Sequence, residues 1–148
     1  QCLAREVRML RGARPALGSP LDVLVIDDDQ GGPAPAPSRE PFFEALAQAG
    51  WRTNRVDAAS NDPLRATLIA LFGETQSWKG RAGYSHAARA AVDRACAVAP
   101  DALVLQFGHP RLIRELPAAR SIATAWGGER AMQVAAAGWL TEQREALR

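Results

Sequence analysis

Cysteine is nearly missing from this chain. Its two thiols, Cys2 near the terminus and Cys96 within an expected helix, give neither a disulfide framework nor a metal-ligand spacing. Cys96 reads as a small buried apolar residue. Aromatics are scarce, at 6%, and no basic stripe interleaves with them. The net charge is only +2, and the arginines are scattered along the chain. Together these features argue against nucleic acid as a partner. No run approaches the ~20 apolar residues of a membrane span. There is no signal-peptide pattern, and Gln1 is not a natural start, so the sequence reads as a piece of a longer protein and leaves localisation open.

What is present is the material of one α/β domain. At 148 residues the chain can bury a proper core. Residues 1–11 carry Leu3, Val7 and Leu10 at helical spacing, which predicts a short amphipathic helix. Residues 12–20, punctuated by Pro15, Gly18 and Pro20, predict an interdomain connector. The expected organisation is therefore residues 1–20 as helix and connector, and 21–148 as the α/β unit.

Within that unit strand and helix alternate. Residues 21–26 are a strand ending in Asp27-Asp28-Asp29. A proline-rich stretch, 33–37, can continue neither helix nor sheet. Ser38 is placed to cap a helix over 39–49, which Gly50 ends. Residues 51–56 have the weaker, alternating pattern of an edge strand, and 57–63 that of a loop. The continuous apolar run 66–72 has the character of a strand covered on both faces of a parallel sheet. Ser85 caps a helix over 86–98 with Ala88, Val92, Ala95 and Cys96 on one face. Residues 101–107 form a fourth strand, 111–116 a short helix, and 121–126 a fifth strand. A last helix begins near Glu129, with Met132, Ala135, Ala136, Trp139 and Leu140 as its core stripe. This alternation predicts a three-layer α/β sandwich, flavodoxin-like, with a mostly parallel sheet of five or six strands.

In such a sheet ligands bind at the carboxyl ends of the strands. Four loops meet there, presenting Asp27 to Asp29, residues 74–83, His109, and Trp126-Gly127-Gly128. A phosphoacceptor receiver would need an aspartate after the third strand and a lysine after the fifth, where Gly73-Glu74 and Trp126-Gly127 stand. A dinucleotide fold would need Gly-x-Gly-x-x-Gly after the first strand, and Gly31-Gly32 before a proline string does not supply it. Asp28, Glu74 and His109 could make a metal site, but strand-end acids are more often solvated or capping, and none is expected. His109 between glycine and proline suits a turn brace better than a catalyst. Gly127-Gly128 ahead of a helix could bind an anion, although Glu129 already brings negative charge there. Trp78, with Lys79 and Arg81, can stack on a sugar or a cation; packing against a neighbouring domain is the plainer reading.

The strings Leu71-Phe72-Gly73-Glu74, Ser77-Trp78-Lys79-Gly80-Arg81-Ala82-Gly83, Phe107-Gly108-His109-Pro110-Arg111-Leu112 and Ala125-Trp126-Gly127-Gly128 resemble the C-terminal α/β domain of family-three glycoside hydrolases, in the β-N-acetylhexosaminidase-like branch. The resemblance implies a parent enzyme whose N-terminal β/α barrel binds the sugar and supplies an aspartate nucleophile, with retention of configuration. In many β-glucosidases of the family, the loop after the third strand of this domain carries the acid/base glutamate. Here that loop holds Glu74 as its only carboxylate, which makes Glu74 the sole catalytic candidate. In the hexosaminidase branch the acid/base is a histidine on a barrel loop, which would not be His109. The chain alone is then expected to be catalytically silent, with no cofactor. Glu74, Trp78, Lys79, Arg81, His109 and Trp126 would contact substrate or the barrel. The alternative is a non-catalytic flavodoxin-like module for a small ligand or sugar.

Overall fold

The computed structural model describes residues 3–14, 16–56 and 65–147. Six strands form one sheet: β1 (Arg8–Arg11), β2 (Leu21–Asp27), β3 (Thr53–Val56), β4 (Leu68–Phe72), β5 (Leu103–Phe107) and β6 (Ser121–Thr124). Their spatial order is β1-β6-β5-β4-β2-β3. All neighbours are parallel except β1, which runs antiparallel to β6. The five parallel strands follow the flavodoxin-like order. Helices α1 (Glu40–Gln48), α2 (His86–Val98) and α3 (Arg130–Ala146) complete the three layers.

Side-chain alternation along the strands explains the layering. Val23, Leu68, Ala70, Phe72, Leu103, Leu105 and Phe107 point to the face covered by α1 and α3, where Phe42, Leu46, Trp139 and Leu140 meet them. Leu24, Ile26, Ile69, Leu71 and Val104 point the other way, onto Ala88, Val92, Ala95 and Cys96 of α2. Both faces are closed, so β4 and β5 are buried at every position. That double burial is why they read as unbroken apolar runs. Ser85 caps α2, accepting a hydrogen bond from the Ala88 amide. Gly50 ends α1 with φ +81°.

The N-terminal segment corrects the helical expectation for residues 1–11. A 3-10 turn, Leu3–Glu6, leads into β1. Val7 and Met9 both face the α1/α3 side of the core, so a period of two wins over the period of 3.6 suggested by Leu3, Val7 and Leu10. Arg11 reaches across from the sheet edge. Its guanidinium donates to the carbonyls of Leu116 at 2.6 Å, Ala119 at 2.8 Å and Ile113 at 3.3 Å. Those carbonyls close the 3-10 helix Pro110–Glu115, the expected short helix at 111–116 in tighter form. Cys2, Pro15 and the expected loop over 57–63 lie outside the described residues.

Candidate functional site

The four loops do converge at the carboxyl edge, and Arg39 is the residue that binds them. It sits just before α1, packed over the Phe72 ring with Cζ 4.0 Å from the centroid. Its Nε donates to Asp27 Oδ2 at 2.9 Å, its Nη2 to Asp29 Oδ2 at 2.8 Å, and its Nη1 to the Gly128 carbonyl at 3.0 Å. One guanidinium thus joins the ends of β2 and β6 to the starts of α1 and α3. A cation at a helix N-terminus opposes the helix dipole, so an arginine after Ser38 was a signal that acids must stand nearby. The Ser38 side chain plays a smaller part than expected, its hydroxyl accepting from the Glu40 amide at 3.2 Å, while its carbonyl accepts from Gln133 Nε2 at 2.8 Å.

Asp29 is buried, at 5% exposure. Its second oxygen accepts from Lys79 Nζ at 2.7 Å and from the Glu74 amide at 2.9 Å. Lys79, the only lysine of the chain, has 1% side-chain exposure and also donates to the Glu74 carbonyl at 2.8 Å. It faces inward and pins the 73–83 loop. Asp28 accepts from the Ser85 amide at 2.8 Å, the Ser85 hydroxyl at 2.6 Å and Arg81 Nη2 at 3.0 Å. Glu74 Oε1 accepts from the Gly128 amide at 3.0 Å. The carboxylate hydrogen-bonded ahead of α3 is therefore Glu74, while the Glu129 side chain makes no cap bond.

These bonds set the electrostatics. Burial alone would raise the Asp27 carboxyl, but hydrogen bonds from Arg39, Gln30 and the Asp29 amide outweigh it and hold the pKa below the ordinary value. Asp28 is likewise lowered: burial opposes, and the Ser85 hydroxyl and amide with Arg81 prevail. A general acid for glycoside hydrolysis needs the opposite, a raised pKa. Among the described residues no cluster of histidine, cysteine or acid side chains is arranged to hold a metal.

Beneath these loops the backbone crosses tightly. A Cβ on Gly108 would stand 2.4 Å from the Gly73 carbonyl oxygen, and one on Gly73 would stand 2.4 Å from the Tyr84 ring. Among the described residues the buried Tyr84 hydroxyl has no hydrogen-bond partner. Burial first, then the carboxylates of Glu115, Asp28 and Asp29, push its ionisation far up.

The exposed groups differ from the braced ones. Trp78 leans on Gly32, where a Cβ would lie 2.7 Å from the indole, and its Nε1 donates to Gln76 Oε1. With residues Pro33, Pro35 and Pro37 it lines a hollow of about 220 Å³. His109 Nδ1 accepts from the Arg111 amide at 3.1 Å, the turn-bracing role its Gly-Pro setting suggested. His109 also borders a cleft of about 410 Å³ with Thr75, Arg111, Arg114 and Glu115.

Trp126 is the outlier. It has φ +60°, and the Gly127 amide closes onto the Ala125 carbonyl at 2.7 Å. An i to i+2 bond about a central residue of positive φ makes a strained γ-turn. For a bulky side chain such a backbone costs of order 1–3 kcal/mol and persists only where the surroundings fix it. They do: buried Thr124 accepts from the Trp126 amide at 3.3 Å, and its hydroxyl donates to the Gly108 carbonyl at 3.2 Å. Gln133 and Arg39 both hold the Gly128 carbonyl. The indole is left 43% exposed, edge-on to His109 at 5.8 Å and 5.7 Å from Arg8 Cζ.

No family model matches the chain, and no curated protein matches it in sequence. Solved structures do. A glycoside hydrolase family 3 β-N-acetylglucosaminidase from Paenibacillus sp. is similar over 95% of this chain and 29% of its own, at 18% identity and TM-score 0.66. A fungal multi-domain family-3 β-N-acetylglucosaminidase is similar over 95% and 17%, at 12% identity and TM-score 0.64. The β-glucoside phosphorylase BglX is similar over 95% and 28%, at 14% identity and TM-score 0.60. The first two of these are family-3 glycoside hydrolase chains that contain this fold, and this chain spans less than a third of the length of each of the three.

Proposed function

We propose that the chain is the C-terminal accessory domain of a family-three glycoside hydrolase. Its parent hydrolyses β-linked glycosides of N-acetylhexosaminide type, and an N-terminal β/α barrel of the same parent supplies the nucleophile. One observation carries the accessory role: Asp27, Asp28, Asp29 and Glu74 are all tied up by donors within the chain. A retaining mechanism needs two carboxyl-type groups ~5 Å apart and facing the sugar, or a histidine in place of one. Carboxylates engaged in this way serve as braces. The fold likeness to chains several times longer supports a parent with further domains.

The test is enzymatic. The 148-residue chain, incubated with an aryl β-N-acetylglucosaminide, should give no turnover, whereas the parent polypeptide should. In the parent, Glu74→Gln should keep most of kcat. Loss of kcat by a factor of ~100 or more with the fold intact would make Glu74 an acid/base after all and overturn the accessory reading.

A further inference from the structure

Arg11 is aimed by an irregularity in its own strand. Side chains alternate along a strand, which would set Arg11 on the side of Met9, against α1 and α3. The register breaks between them. Met9 stands opposite Ala123 and Arg11 opposite Ile122, two steps along β1 against one along β6. Leu10 is thus the extra residue of a β-bulge, a device that re-aims a side chain. Met9 stays with the α1 and α3 cluster. Arg11 turns to the other face, where Ile113, Leu116 and Ala119 pack with α2. Gly12 follows with φ +73°, and a Cβ there would collide with the Arg120 carbonyl oxygen. Glycine lets the strand end close against the segment that its arginine enters.

The receiving surface is made of carbonyls. Nη1 donates to Leu116 at 2.6 Å and to Ala119 at 2.8 Å, and Nη2 donates to Ile113 at 3.3 Å. Among the described residues Arg11 joins no ion pair. A charge drawn into a protein is ordinarily matched by an opposite one; here carbonyl dipoles take that part. The Leu116 amide donates to the Ile113 carbonyl, and the Ala119 amide to the Leu116 carbonyl. Each of these two oxygens keeps a second lone pair for the guanidinium. Pro117, inside the turn, has no N–H to compete. Three oxygens thus meet two adjacent nitrogens of one plane. A rigid planar fork suits that arrangement better than a compact, strongly hydrated ammonium. The contacts lie beside the start of β6, at the opposite end of the sheet from the four loops.

We propose that the carbonyls of Ile113, Leu116 and Ala119 form a guanidinium-binding site, selective for the planar cation over an ammonium, which Arg11 fills in cis. β1 is then held as a ligand is held, by its ladder with β6 and by one recognised head group. The same site, once vacated, takes a free alkylguanidinium.

Arg11→Ala in the full 148-residue chain vacates the site, and methylguanidinium is the probe. At millimolar concentrations it should raise the thermal midpoint of Arg11→Ala, with a rise that grows with the logarithm of its concentration. Methylammonium at equal ionic strength should need a concentration at least ~10-fold higher for the same rise. The wild type, its site already filled, should show no rise with either cation. Arg11→Lys should fall below the wild type and gain nothing from its retained charge. No rise of Arg11→Ala with methylguanidinium would overturn the proposal, as would an equal rise in the wild type. Equal potency of methylammonium, or an Arg11→Lys as stable as the wild type, would leave a site for charge alone and overturn the selectivity. Nuclear magnetic resonance of the wild type decides the matter even where Arg11→Ala does not fold. A guanidinium held at both Nη atoms should give resolved, slowly exchanging Nη protons, and a single averaged signal for Arg11 would remove the site.

Discussion

Removing the charge from Asp29 leaves a guanidinium and an ammonium facing each other without their shared partner. Breaking one side of a buried ion cluster typically costs about 3–5 kcal/mol, and Asp29 serves both Arg39 and Lys79. Asp29→Asn should therefore destabilise the chain by about that amount in urea titration, far more than Glu40→Gln, whose pair with Arg55 is exposed. Asp27 and Asp28 carry the acid sensitivity. Their folded pKa values lie below the unfolded value of about 3.9. The stability they contribute is complete above that value and is lost as pH falls through their folded values. Thermal midpoints should drop below about pH 4, and the double variant Asp27→Asn, Asp28→Asn should show a shallower acid limb while starting lower at pH 7.

At the scale of elements, Arg11 ties β1 to the segment that ends the Pro110–Glu115 helix. Arg11→Ala removes three hydrogen bonds to the carbonyls that close the Pro110–Glu115 helix. Charged hydrogen bonds are worth about 1.5–3 kcal/mol, so a loss near the upper end is expected in chemical denaturation. Faster amide exchange around Leu116 and Ala119 should accompany it. Arg11 also shows where the sequence was misleading. Leu3, Val7 and Leu10 match a helical stripe, and nothing local reveals that antiparallel pairing with β6 is available, with Arg8 opposite Thr124 and Arg11 opposite Ile122. The apolar runs of β4 and β5 were legible because burial on both faces leaves no polar position to confuse the reading. The stripe of α3 was legible for the same reason as any amphipathic helix, since its buried positions repeat with the helical period.

For the molecule as a whole, the sequence located the carboxyl edge and its loops but not the division of labour within it. Lys79 looked like a surface cation beside Trp78, and it is instead the buried counter-ion of Asp29. The position of Arg39 ahead of a helix hints at nearby acids, but its three partners come from residues 27, 29 and 128 and meet only in the folded chain. Trp126 stood among the edge residues expected to contact substrate or the barrel, but its positive φ is a tertiary outcome that no local pattern shows.

The crossing of Gly73 and Gly108 also limits what this fold can become. The tips of the two central strands have no space for even a methyl group, so substitution at those positions cannot introduce a reactive side chain. Gly108→Ala should itself cost about 1–3 kcal/mol as an overpacked variant. A lineage built on this scaffold can acquire new chemistry at its centre only by growing or shrinking the flanking loops, or by borrowing it from whatever lies across the gap.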